Sequence, residues 1–78
     1  MVSLHVPVAT CDIPERVNGV TACFRVYRSF GAARDYFGRI GSVGVLFRAL
    51  NDRLVRDRSI VSVQVYLPSG RLLCECYR

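Results

Sequence analysis

The chain has 78 residues, 51% hydrophobic and 22% charged, with a formal net charge of +5. That composition excludes a disordered chain, and no apolar run reaches the ~18 residues of a membrane-spanning helix. A domain this small buries only about 60% of the surface its unfolded form exposes, so its core is thin and needs nearly every apolar residue.

The first sixteen residues, MVSLHVPVATCDIPER, lack the basic start and following apolar stretch of a signal peptide. A cytoplasmic protein with reduced thiols is therefore expected, within the host cytoplasm if the chain is phage-encoded. All eleven basic residues are Arg. Eight of them lie between Arg25 and Arg58 against three Asp, so the middle of the chain carries the whole positive excess. Such a surface draws acidic protein faces or nucleic acid.

In chain order, Val2, Leu4, Val6 and Val8 alternate with Ser3, His5, Pro7 and Ala9. This is the period-two pattern of a half-buried strand, and Pro7 suits a sheet edge. Asn18-Gly19 between Val17 and Val20 predicts a tight hairpin, with Ile13 opposite Phe24 and a bulge or bend in the stretch from Ala9 to Pro14. Val20, Ala22, Phe24 and Val26 then share one face, with Cys23, Arg25 and Tyr27 on the other.

From Ser29, a candidate N-cap, Phe30, Ala33, Phe37 and Ile40 recur at helical spacing with Tyr36 beside them, predicting a helix. Ser42 is the candidate cap of a second helix, whose stripe is Val43, Leu46, Phe47, Leu50 and Leu54. Arg48, Asp52, Arg56 and the Arg53–Asp57 pair form its solvated side. Past Ser59 the period returns to two. Val61, Val63, Val65 and Leu67 run into a Pro68–Arg71 turn that sets Leu67 against Leu72, Val65 against Cys74 and Val63 against Cys76. Gln64, Tyr66, Leu73 and Glu75 fall on the outer side. The predicted fold is a single α+β domain over residues 1–78. Its antiparallel sheet is built from two β-hairpins in ββ-α(α)-ββ order, with one broken helix or two short helices packed on one face.

The GRIGSVG stretch (residues 38–44) has neither the G-x-G-x-x-G spacing after a strand nor the G-x-x-x-x-G-K-[ST] of a P-loop, and the chain has no Lys. Gly38, Gly41 and Gly44 also suit the plain task of ending one helix and starting another. Yet Ile40-Gly41-Ser42-Val43-Gly44, followed by Phe47, Arg48 and Leu50, resembles the Ile-Gly-x-x-Gly segment of KH domains. That resemblance implies single-stranded nucleic-acid binding at Arg39, Gly41, Gly44 and Arg48, through a loop between two helices.

The four cysteines (11, 23, 74 and 76) lack paired C-x₂₋₄-C knuckles. Cys74 and Cys76 fall on the apolar side of their strand, so they read as buried thiols that fill space, and neither a metal nor a cofactor is expected. If the chain met oxidant, no disulfide connectivity is preferred. One His, scattered carboxylates, and a chain too short to be expected to form a cavity of ~300 Å³ argue against an enzyme.

A binding module is what these observations leave. In size and style the chain resembles phage and mobile-element inhibitors of host machinery, anti-CRISPR proteins among them. The resemblance implies docking on a larger protein or nucleoprotein complex, through Arg25, Tyr27, Tyr66, Leu73 and Tyr77 on the sheet or Arg48, Arg53 and Arg56 on the helix. The alternative is RNA or single-stranded DNA held by the basic middle, with Tyr27 or Tyr36 as a stacking ring. An uncovered strand edge would also allow a homodimer.

Overall fold

The computed structural model describes the backbone of residues 3–5 and the whole of residues 18–78. The expected bend after Ala9, the place of Pro7, and Cys11, Ile13 and Val17 lie outside the described residues. Six elements follow one another: β1 (Ser3–His5), β2 (Thr21–Arg28), β3 (Arg34–Arg39), α1 (Val43–Arg56), β4 (Ile60–Tyr66) and β5 (Leu72–Tyr77). The strands form one sheet in the order β1-β5-β4-β2-β3, every neighbouring pair antiparallel. With α1 on one face, this is the α+β architecture that the two periodicities predict. Among the described residues no helix is long and apolar enough to cross a membrane.

One predicted helix is a strand. The segment after Ser29 turns at Gly31, whose φ of +78° is left-handed, and returns as β3 alongside β2. The helical spacing of Phe30 and Phe37 misled because neither ring belongs to a buried face; they are 71% and 73% exposed. Between Gly31 and Gly41 there is too little chain for a helix to hold itself, whereas pairing with β2 satisfies the backbone at once. The hairpin partner of β2 is therefore β3, not the residues before Asn18. Phe24 has Tyr36 on one side and Val65 on the other, which leaves no edge for Ile13. Asn18-Gly19 does turn the chain, with Gly19 at φ +82°. Its N–H caps the end of the β2–β3 ladder by donating to the Ile40 carbonyl at 2.6 Å.

The single helix starts where expected. Ser42 is extended and its hydroxyl accepts the Val45 N–H at 3.2 Å, satisfying one of the free donors of the first turn. Leu46, Leu50 and Leu54 are buried, and α1 packs on β4 and β5. They share one core cluster with Val63, Val65, Cys74 and Cys76. The other end of the helix is held from a distance: Arg78 Nη2 donates to the carbonyls of Asp57, at 2.7 Å, and of Leu54, while its Nε donates to the Ile60 carbonyl at 3.0 Å.

The β4–β5 hairpin keeps the predicted Val63–Cys76 and Val65–Cys74 pairs, then shifts register so that Tyr66, not Leu67, opposes Leu72. Leu73 is the extra residue of this bulge. It is 3% exposed and lies in the core cluster, so it is not the outer-face anchor the alternation suggested. A bulge sets two residues against one and so breaks strict alternation. Cys74 and Cys76 lie on the buried side as expected, and burial pushes the Cys74 thiol up to about 12.

Candidate functional site

The face of the sheet turned away from α1 collects side chains from four strands. β2 contributes Arg25 and Tyr27, β3 Asp35 and Phe37, β4 Gln64 and Tyr66, and β5 Glu75 and Tyr77. The register places Arg25 between Asp35 and Gln64, and Gln64 between Arg25 and Glu75. Arg25 grips Asp35 with two nitrogens, Nε to Oδ1 at 2.9 Å and Nη2 to Oδ2 at 3.3 Å. Its guanidinium carbon also lies 5.3 Å from the centre of the Tyr66 ring, within the range of a cation–π contact.

Gln64 is the hub of the other half. Its Oε1 accepts both tyrosine hydroxyls, Tyr27 at 3.0 Å and Tyr66 at 2.7 Å, and its Nε2 donates to Glu75 Oε2 at 2.8 Å. Every polar atom of the amide is therefore directed. The hydrogen bonds from Arg25 hold the Asp35 carboxyl below the ordinary carboxylate range, and the same pair keeps Arg25 charged.

The remaining predicted residues lie elsewhere. Arg48, Arg53 and Arg56 are exposed on α1, and among the described residues only Arg56 of the three has an acidic partner, Asp52 at 3.3 Å. Arg39 ends β3, Gly41 precedes the helix cap and Gly44 sits in the first turn of α1. The glycine loop thus joins a strand to a helix, where the KH resemblance implies a loop between two helices. Tyr77 is at the end of β5, at the margin of the sheet face.

Between α1 and the β2–β3 end of the sheet runs an open groove of about 410 Å³, lined by Phe24, Tyr36, Ile40, Val45, Leu50 and Arg53 among others. The groove is open to solvent rather than enclosed. The cause is coverage: one helix lies over β4 and β5, and with the first predicted helix replaced by a strand no second helix among the described residues covers β3. Among the described residues no three His, Cys, Asp or Glu side chains lie together as a metal would need.

Sequence reasoning missed four polar residues. Asp35 was assigned to a helix, Gln64 and Glu75 were placed on the outer face without a role, and Arg78 had no assignment. Strand parity was the available signal for Gln64 and Glu75. A second cluster joins β2 to the end of α1: Arg28 Nη1 contacts Asp57 Oδ2 at 2.9 Å and Ser59 Oγ at 2.6 Å. Ser59 donates its hydroxyl and N–H to Asp57 Oδ1. The Ser59 and Arg28 hydrogen bonds pull the Asp57 carboxyl down to about 2. No protein-family model, curated protein or solved structure matches this chain.

Proposed function

We propose that the chain is a non-catalytic binding module that docks on an acidic surface of a larger protein complex through the open face of its sheet. The observation that supports this reading is the tethering of Arg25, Tyr27 and Tyr66, on the face turned away from α1, by Asp35, Gln64 and Glu75. Arg and Tyr are the side chains that most often anchor protein interfaces. Holding them in place before binding removes part of the ordering cost of association. The charge of +5 favours an acidic partner by long-range attraction. A module of this kind acts by occupying the surface it binds, the mode implied by the likeness in size and style to phage-borne inhibitors.

Nucleic acid is the weaker reading, on a specific ground. A base stacks on an open ring face; one face of Tyr66 is taken by Arg25 and Tyr27 is half-buried with its hydroxyl tied to Gln64. Stacking would therefore fall to the exposed Tyr36 and Phe37 of β3, away from the tethered anchors.

The test compares immobilised proteins in a host lysate, followed by titration of the complex recovered. Arg25→Ala/Tyr66→Ala should weaken capture by roughly 30-fold, the loss of about 2 kcal/mol typical of central anchors. Changing Arg48, Arg53 and Arg56 together to Ala should leave capture within a few-fold. The opposite pattern moves the docking surface to the helix. Micromolar binding of random single-stranded oligonucleotides that falls steeply with salt makes the chain a nucleic-acid module instead.

A further inference from the structure

The edge of the sheet at β3 carries information that the docking face does not use. β3 is six residues long, contains no proline, and has β2 on one side and, among the described residues, no strand on the other. Proteins ordinarily blunt such an edge, because its unpaired N–H and C=O groups are a template for another strand.

Which groups point outward follows from one hydrogen bond. The Ile40 N–H donates to the Val20 carbonyl at 2.9 Å, towards β2. Because antiparallel ladders alternate, Gly38, Tyr36 and Arg34 also face β2, while Arg39, Phe37 and Asp35 direct their backbone groups to the free edge. The side chains of those three residues share the open face with Arg25 and Tyr66, their register partners' side of the sheet.

We propose that β3 pairs antiparallel with β3 of a second copy of this chain, about a two-fold axis through Phe37. In that register Phe37 faces Phe37, and Asp35 faces Arg39 of the other copy on both sides of the axis. On the opposite face Tyr36 meets Gly38, which has no side chain of its own and is flanked by the Phe24 ring. Each residue with outward backbone groups faces another such residue, so Asp35, Phe37 and Arg39 complete the ladder.

Charge and shape select this register over its neighbours. Sliding by two residues sets Asp35 against Phe37 one way and against Gly41 the other, and the ion pairs are lost. Sliding by one turns side chains to the wrong face. Opposite charges and paired aromatics are the cross-strand contacts that stabilise antiparallel sheets, while like charges directly opposite destabilise them. Arg39 has no acidic partner among the described residues, so it is available to the second copy. Phe37, at 73% exposure, is a large apolar side chain that gains a covering. The contact is isologous and closes on itself as a dimer. It shares Asp35, the tether of Arg25, with the docking face, and it would join two such faces into one continuous surface.

Sedimentation velocity over a dilution series is the first test. The wild-type mass should rise from 8.8 kDa towards twice that value as concentration increases, because an edge contact is small and its dimer dissociates on dilution. Phe37→Asp places two carboxylates across the axis and should weaken association by about tenfold or more, with unchanged circular dichroism, since the ring is exposed in the monomer. Phe37→Cys should form a disulfide-linked dimer on mild oxidation, because directly opposed residues in a hydrogen-bonded pair lie about 5.5 Å apart at Cα, within disulfide reach. Tyr36→Cys, facing Gly38, should not link beyond the wild-type background. A wild type that stays at one chain mass throughout, a Phe37→Asp variant that still associates, or Phe37→Cys linking no more than Tyr36→Cys each overturns the proposal.

Discussion

Replacing Arg78 by Ala is the most direct test of how α1 is held. The last carbonyls of a helix have no partners within it, and in this chain the guanidinium of Arg78 supplies them to Leu54 and Asp57 while also binding the Ile60 carbonyl. Hydrogen bonds from a charged donor contribute about 1.5–3 kcal/mol when buried, and a cation at a helix C-terminus adds about 0.3–1 kcal/mol. Arg78 is partly open to water, so the three bonds together should be worth about 2–3 kcal/mol at the lower end of those ranges. For a domain of this size that lowers Tm by roughly 8–20 °C. Urea unfolding followed by far-ultraviolet circular dichroism should show a lower midpoint with an unchanged slope. Arg78→Lys should recover only part of the loss, because a single ammonium cannot reach three carbonyls at once. Arg71, exposed and without an ion pair among the described residues, is the control, and its Ala variant should stay within about 0.5 kcal/mol of wild type. An Arg78→Ala midpoint equal to that of Arg71→Ala would refute the capping role.

Two further outcomes follow from titrating groups. Asp57 is held at about 2 against an ordinary value of 3.8, so its contribution is complete above pH 3.8 and is lost as pH falls from there towards 2. Melting curves of wild type and Asp57→Asn should therefore differ at pH 6 and converge at pH 2; a constant gap would show that the carboxylate charge is not what matters. Cys74 and Cys76 are buried, with thiols raised by that burial. In native protein at pH 8 a thiol reagent should leave both unmodified until denaturant is added, as read by mass spectrometry of peptides.

The parts of the fold that were legible in the sequence are those where local pattern and tertiary packing agree. Leu46, Leu50 and Leu54 repeat at helical spacing behind a Ser cap, and all three meet the sheet. Val63, Val65, Cys74 and Cys76 alternate and face the core in the predicted register. The segment from Phe30 to Arg39 was not legible, because its apolar spacing fits a helix while its aromatics and glycines fit an exposed edge strand. Periodicity reports burial, and a strand that buries little has no strict period to read. Leu73 was lost to the bulge for a related reason, since one extra residue reverses parity. On the candidate face, Arg25, Tyr27 and Tyr66 came from strand alternation alone. Their tethers, Asp35 and Gln64, needed the β2–β3 and β2–β4 pairings, which no local signal supplies. Arg78 is further still, acting on a helix that ends some twenty residues earlier in the chain.

The place of β1 has a consequence for how the chain folds. Its partner is β5, about seventy residues further along the chain, so β1 is made long before the strand it pairs with. Pairings of such long separation slow folding, since the intervening loop must close before any contact rewards it. The β2–β3 and β4–β5 hairpins and α1 can form locally, which makes docking of the N-terminal strand the natural final step. Until then the outer side of β5 stands open on the nascent chain, the interval in which a neighbouring polypeptide could take its place.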